Sequence, residues 1–141
     1  MRLWLVLFLA LLVGAAAADP IAPDDIKIID ADTIAARGRT YRLIGYDAPE
    51  VHRAKCLTEA AIGRRAARRL QELIAKGELD LVAVPCPCRE GTQGKRSCNR
   101  GRLCARLLAS GQDVGLVLIR EGLARPHQCS ATRCPNLPKW C

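Results

Sequence analysis

Aromatic residues are scarce in this 141-residue chain, 4% in all, and two of the five, Trp4 and Phe8, fall in an apolar leader. Only Tyr41, Tyr46 and Trp140 remain beyond it. Binding by base stacking, worth about 1–3 kcal/mol per base, is therefore scarcely available. Acidic charge is also in the minority. Lys plus Arg number 22 against 14 Asp plus Glu, a net +8, which excludes an intrinsically acidic or calcium-buffering protein and suits a polyanionic partner. No internal repeat or low-complexity tract occurs, and no segment after the leader is apolar enough to span a membrane.

The leader is where apolar residues concentrate. Met1-Arg2 gives a positive start, Leu3 to Val13 is unbroken in its apolarity, and Ala16-Ala17-Ala18 offers small residues before Asp19-Pro20. That is the layout of a secretory signal peptide over 1–18, and it is too short to serve as a membrane anchor. The remaining 19–141 suffices for one domain that buries roughly two-thirds of its unfolded surface. All eight Cys follow the leader: Cys56, Cys86, Cys88, Cys98, Cys104, Cys129, Cys134 and Cys141. An even number in a small exported chain predicts disulfides, and hence a secreted or periplasmic protein. Four bridges are expected among 105 possible connectivities. Zinc thiolate sites are the alternative, but no standard pair of Cys-x-x-Cys hooks is present.

Ile26, Ile28 and Ile29 begin a β-like segment that breaks at Asp30-Ala31-Asp32 and resumes at Thr33. Arg37-Gly38-Arg39 reads as a turn, and Thr40 to Ile44 as a strand that ends before Asp47-Ala48-Pro49-Glu50. From Thr58, a plausible N-cap, to Gly77, a plausible C′ residue, the period becomes helical, with Ile62, Ala66, Leu70, Leu73 and Ile74 on one stripe. Leu79 to Val84 is a further strand. Cys86 to Arg102 is a basic loop, Leu103 to Ala109 a strand, and Asp113 the N-cap of a second helix that buries Val114, Val117 and Leu118. Residues 128–141 form a cysteine-rich tail without periodicity. These elements predict an α+β fold whose sheet could close into a small β-barrel, with α-helices beside it and disulfides to stabilise it.

The strand-turn-strand pattern brings Asp30 and Asp32 near Asp47 and Glu50. Converging carboxylates repel one another unless a cation sits among them, and hard oxygen donors suit Ca²⁺ or Mg²⁺. By spacing alone, however, Asp30 and Asp32 read as turn caps and Glu50 as a solvated side chain.

A resemblance adds to this. Ile29-Asp30-Ala31-Asp32-Thr33, Tyr41 through Glu50, Asn99-Arg100-Gly101-Arg102, and Leu118 through Ala124 resemble, in order, the motifs of the staphylococcal nuclease-like (thermonuclease) family over about 26–127. The resemblance implies a five-stranded OB-type barrel and a Ca²⁺-dependent phosphodiesterase acting on DNA or RNA. It also implies that Asp32, Asp47 and the Ala48 carbonyl hold Ca²⁺, with Asp30 in support. Glu50 would then be the general base, and Arg42 and Arg102 the ligands of the scissile phosphate. The chain departs from the family at Ala31, where Gly is usual, at Ala48, where Thr is usual, and at Asn99-Arg100, where the usual motif is Asp-Xaa-Tyr-Gly-Arg. Where the family often presents Tyr residues, Arg125-Pro126-His127-Gln128 stands instead.

Lys95, Arg96 and Arg100 in the basic loop, together with His127, are expected to contact substrate. Arg64, Arg65, Arg68 and Arg69 read instead as the solvated face of a helix. The expected protein is an exported, monomeric Ca²⁺-dependent nuclease. The competing class is a catalytically inactive nucleic-acid- or polyanion-binding module on the same fold.

Overall fold

Arg37 and Gly38 have positive φ, 51° and 71°, as a two-residue hairpin turn requires, and they join β2 (Thr33–Ala36) to β3 (Arg39–Leu43). This is seen in a computed structural model that describes residues 19–141. The leader expected over 1–18 lies outside the described residues. β1 (Ile26–Asp30) pairs antiparallel with β2 across the Ala31–Asp32 turn, with a register slip between Ile28 and Asp30. After β4 (Gly45–Asp47) come α1 (Leu57–Lys76), β5 (Leu79–Val84), β6 (Leu103–Ala109), β7 (Gln112–Asp113), α2 (Val114–Arg120) and β8 (Arg125–His127).

The main sheet runs β1-β2-β3-β6-β5 with β7 attached to β6, while β4 and β8 form a separate antiparallel pair. The β3–β6 pairing is parallel and sets Arg42 beside Cys104. That register carries Arg102, just before β6, to the same end of the sheet as Arg42.

The α+β class holds, but the strands do not close into a barrel. β1 and β5 remain the edges of the sheet. Between them, among the described residues, stands only a bridge at Pro20 and Asp80, with Ile21 N–H donating to Leu79 O at 3.0 Å and Leu81 N–H to Asp19 O at 2.9 Å. The chain before β1, broken by Pro20 and Pro23, makes this contact without extending β1 into a ladder.

Ala66, Leu70 and Ile74 of α1 are buried against Ile34, Leu43, Leu81, Leu107 and Leu118, while Ile62 and Leu73 pack at the margin. α1 begins earlier than its period suggests, because Cys56 rather than Thr58 is the cap. Cys56 Sγ accepts from Glu59 N–H at 3.4 Å, and the Glu59 carboxylate reaches back to Lys55 N–H at 2.6 Å, which satisfies two otherwise orphaned donors reciprocally. Gly77 is extended (φ −113°), not left-handed. Its missing side chain instead admits Ser110, whose Oγ would lie 3.0 Å from a Cβ. Asp113 caps α2 as expected, accepting from Gly115 N–H at 2.8 Å. Of the four arginines read as a solvated face, Arg69 is an exception: its guanidinium grips Glu121 beyond α2 at 2.9 Å.

All eight cysteines pair: Cys56–Cys141, Cys86–Cys104, Cys88–Cys98 and Cys129–Cys134. Cys86, Cys98 and Cys104 form a second small core beneath the basic loop. There Gln93 grips the Cys86 backbone, accepting from its N–H at 2.9 Å and donating to its C=O at 2.7 Å. The tail has no strand or helix after His127, but the Arg125 guanidinium stacks over Trp140 at 3.7 Å and donates to Pro138 O. Among the described residues no helix is long and apolar enough to cross a membrane.

Candidate active site

The Ala31–Asp32 turn is buried, and it is fixed from both sides. Tyr46 of β4 donates its hydroxyl to Ala31 O at 2.7 Å. Its ring lies where any side chain on Gly115 of α2 would collide, since a Cβ there would sit 2.2 Å from the ring. The Asp32 carboxylate then accepts from Ala48 N–H at 2.8 Å and from the Thr33 hydroxyl at 3.0 Å. Arg42 joins the two acidic segments, with one nitrogen 2.6 Å from Asp32 and another 3.2 Å from Asp47. Burial pushes the Asp32 carboxyl above its ordinary pKa, against the pull of Arg42 and of the Ala48 N–H. Even with a guanidinium in contact, loss of solvent outweighs these attractions. Asp30, also buried, accepts from Val51 N–H at 3.0 Å and so ties β1 to the segment that follows Glu50.

Glu50 lies between β4 and α1, partly exposed, with Arg53 at 3.6 Å. Its pKa is raised, first by partial burial and then by the charge of Asp30, while Arg53 pulls it down. The backbone of this segment rests directly on α1 at Gly63. A Cβ there would meet Glu50 O at 2.7 Å and Pro49 O at 2.8 Å, both backbone atoms with little room to retreat. A helix-interior glycine normally weakens a helix by about 1 kcal/mol relative to alanine, and here it permits the contact that places Glu50.

Arg102 approaches from the other side. Asn99, Arg100 and Gly101 have φ of 51°, 59° and 82°, a left-handed turn that folds Asn99 back onto Arg102. Arg102 donates Nε–H to Asn99 O at 3.1 Å and Nη2–H to Asn99 Oδ1 at 2.7 Å. Its Nη1 reaches Thr33 Oγ1 at 3.4 Å, so one hydroxyl stands between Asp32 and Arg102. Burial, and then the like charge of Arg42, push the Arg102 pKa below the ordinary arginine value. Two guanidiniums thus sit close enough to repel, an arrangement that favours a bound anion.

Residues 40–139 match the family described as staphylococcal nuclease homologue. The chain belongs to that family. It is similar as well to "Endonuclease YncB" of Bacillus subtilis (strain 168), 32% identical over 103 residues, which cover 70% of this chain and 44% of that protein. The chain therefore spans less than half the length of this relative. The family match begins within β3, so Asp30 and Asp32 lie before it and stand on the geometry described above.

In this staphylococcal nuclease homologue a cleft of about 340 Å³ opens beside the two arginines. It is lined by Arg42, Asn99, Arg102, His127 and Gln128, with the Cys129–Cys134 bridge at its rim. His127, in β8 opposite Gly45, is half-buried rather than loose in a loop, and its Nδ1 is buried without a partner. Lys95, Arg96 and Arg100 are all exposed and lie outside the cleft lining, though Arg100 is close enough to act on the charge of Arg102.

The carboxylates of Asp32 and Asp47 share Arg42 and are hard oxygen donors of the kind Ca²⁺ takes, but among the described residues neither Asp30 nor Glu50 brings a third carboxylate into one cluster with them. Among the described residues, the group of three His, Cys, Asp or Glu ligand atoms within 4.8 Å is His127, Cys129 and Cys134. Its two sulfurs are already bonded to each other, so it offers no thiolates.

Three contributors escaped the sequence reading. Gly63 had a signal, a glycine inside a strong helical period. Asn99 was visible only as a departure from the family motif, and Tyr46 only as one of few aromatics.

Proposed function

We propose that this chain is an exported, Ca²⁺-dependent nuclease that hydrolyses phosphodiester bonds in DNA or RNA, acting as a monomer. The observation that carries the reading is the convergence of Arg42 and Arg102 on one cleft beside the Asp32–Asp47 pair. Family membership and the endonuclease name of the Bacillus relative support it.

In this reading Asp32, Asp47 and the Ala48 carbonyl hold the ion, with Asp30 bracing the turn. When bound, Ca²⁺ polarises a phosphoryl oxygen and offsets developing charge. Glu50 takes a proton from the attacking water, a contribution of about 10²–10⁴-fold. Phosphodiester hydrolysis builds charge on the equatorial oxygens, and two planar forks answer it with donors fixed before reaction. With few aromatics available, affinity rests on phosphate contacts. Lys95, Arg96, Arg100 and His127 extend that surface along the strand, so binding weakens steeply with salt and shows little base preference. Signal cleavage after Ala18, followed by oxidation of the four bridges, places the domain of 19–141 in a periplasm or outside the cell.

The test is cleavage of single-stranded DNA by the oxidised protein with Ca²⁺ or with chelator, beside Glu50→Gln. Cleavage that needs Ca²⁺ and falls at least a hundredfold, about the lower bound for a general base, supports the enzyme. Binding without cleavage in every condition would sink it and favour the inactive polyanion-binding module.

A further inference from the structure

Arg42 and Arg102 are held by opposite means. Arg42 contacts two carboxylates, whereas both hydrogen bonds that fix the side of the Arg102 fork go to Asn99, one to its main-chain carbonyl and one to its side-chain oxygen. This grip occupies the Nε and Nη2 side of the guanidinium and leaves hydrogens at the Nη1/Nη2 end for an anion. An amide does this without cancelling the arginine's charge. A carboxylate in the same place would hold it more tightly and neutralise it.

The amide has its own constraint. Its Nδ2 points at the Cys86–Cys104 bridge, 3.5 Å from Cys104 Sγ and 3.9 Å from Cys86 Sγ. Sulfur is a weak acceptor, but it occupies the amino side, and this leaves Oδ1 turned toward Arg102. The bridge also fixes the base of the turn, because Cys104 is the second residue of β6.

We propose that Asn99 is a positioning residue for Arg102, a neutral clamp whose amide is oriented by the Cys86–Cys104 disulfide. The proposal rests on reading Arg102 as a phosphate ligand of the nuclease.

The test compares the oxidised full chain with Asn99→Ala, Asn99→Asp, the Cys86→Ala/Cys104→Ala double variant and the triple variant with Asn99→Ala. Single-stranded DNA cleavage in Ca²⁺ gives kcat and KM. ¹⁵N spectra of the arginine side chains, taken without substrate, report whether Arg102 Nη2 is held or rotating. Asn99→Ala should lower kcat about ten- to a hundredfold, as small misplacements at reacting centres do, with KM within about threefold, and should free Nη2. Asn99→Asp should keep Nη2 held yet still lose kcat, which separates position from charge. Loss of the bridge should reproduce the alanine effect, and the triple variant should be no worse than the poorer parent. Wild-type kcat or an unchanged Nη2 signal in Asn99→Ala overturns the clamp. Losses that multiply in the triple variant overturn the link to the disulfide. If the unaltered chain does not cleave, the nuclease reading fails, and the Nη2 signal still decides whether Asn99 holds Arg102.

Discussion

The turn bearing Asp30 and Asp32 sits on the main core, with Ala31 fully buried beneath the Tyr46 hydroxyl, whereas the segment bearing Arg102 leaves the sheet at Val84 and returns only at Leu103. The acidic side is held by hydrogen bonds and packing. The loop side rests on three buried cysteines and is held by two covalent bridges. A long connection without strands cannot bury enough apolar surface to fix itself, and cross-linking replaces the missing core. One site is therefore assembled from a half expected to keep its order on chemical reduction and a half expected to lose it.

The sharpest way to break this contrast is on the acidic side. Replacing Arg42 with Ala leaves the Asp32 carboxylate buried without its partner, a loss of about 3–5 kcal/mol by denaturation in chelator. Because burial already raises the Asp32 pKa, and the variant raises it further, the folded state binds the proton more readily than the unfolded state. The deficit should therefore shrink as pH falls from neutral through the folded-state pKa, and a deficit independent of pH would contradict the account.

On the loop side, Cys88→Ala with Cys98→Ala should cost about 2–3 kcal/mol, in keeping with the short loop closed. Tryptic cleavage should then appear at Arg89, Lys95 or Arg96 while 26–50 stays protected. Cleavage first at Lys27 or Arg42 would erase the distinction between the halves.

Gly63→Ala probes how the acidic side meets α1. Helix propensity predicts a gain from alanine, but a Cβ 2.7 Å from Glu50 O forces a shift. The expected net is a loss of about 1–3 kcal/mol, as in overpacked cores, with kcat falling more than KM changes. A stabilised, fully active variant would show that the Pro49–Glu50 segment is not seated on the helix.

The smallest effect is expected at Arg53, whose exposed charge lowers the Glu50 pKa across 3.6 Å. Arg53→Ala should move the acid limb of kcat/KM to higher pH, since Glu50 then stays protonated, and so unable to act as base, over a wider acid range. Movement to lower pH would contradict this sign.

Much of this was legible in order along the chain. The α1 stripe, the Asp113 cap, the turn at Arg37-Gly38-Arg39 and the strand from Leu103 follow from local periodicity and turn chemistry. The four acids and two arginines were legible as motifs, but their meeting depends on the parallel β3–β6 register, which no local signal encodes. β8 was missed because three residues around Pro126 carry no alternation, and their strand exists only by pairing with β4. The cystine pairing was closed to sequence, since each partner is chosen by the fold. The elements only allowed closure and the family resemblance implied it, and the two prolines before β1 are where that expectation departs from the observed ladder.

The short stretch from Asp19 to Ile21 has a consequence for solubility. β5 would otherwise present a row of free N–H and C=O groups, a template on which another chain could add a strand. Backbone contacts to Leu79 and Leu81 cover the first part of that row, and Arg37 clasps the Asp19 carboxylate at 2.7 and 2.8 Å to hold the cover down. Trimming these few residues would leave the arginines of the cleft and the acids beside it untouched and turn a self-limiting edge into an adhesive one.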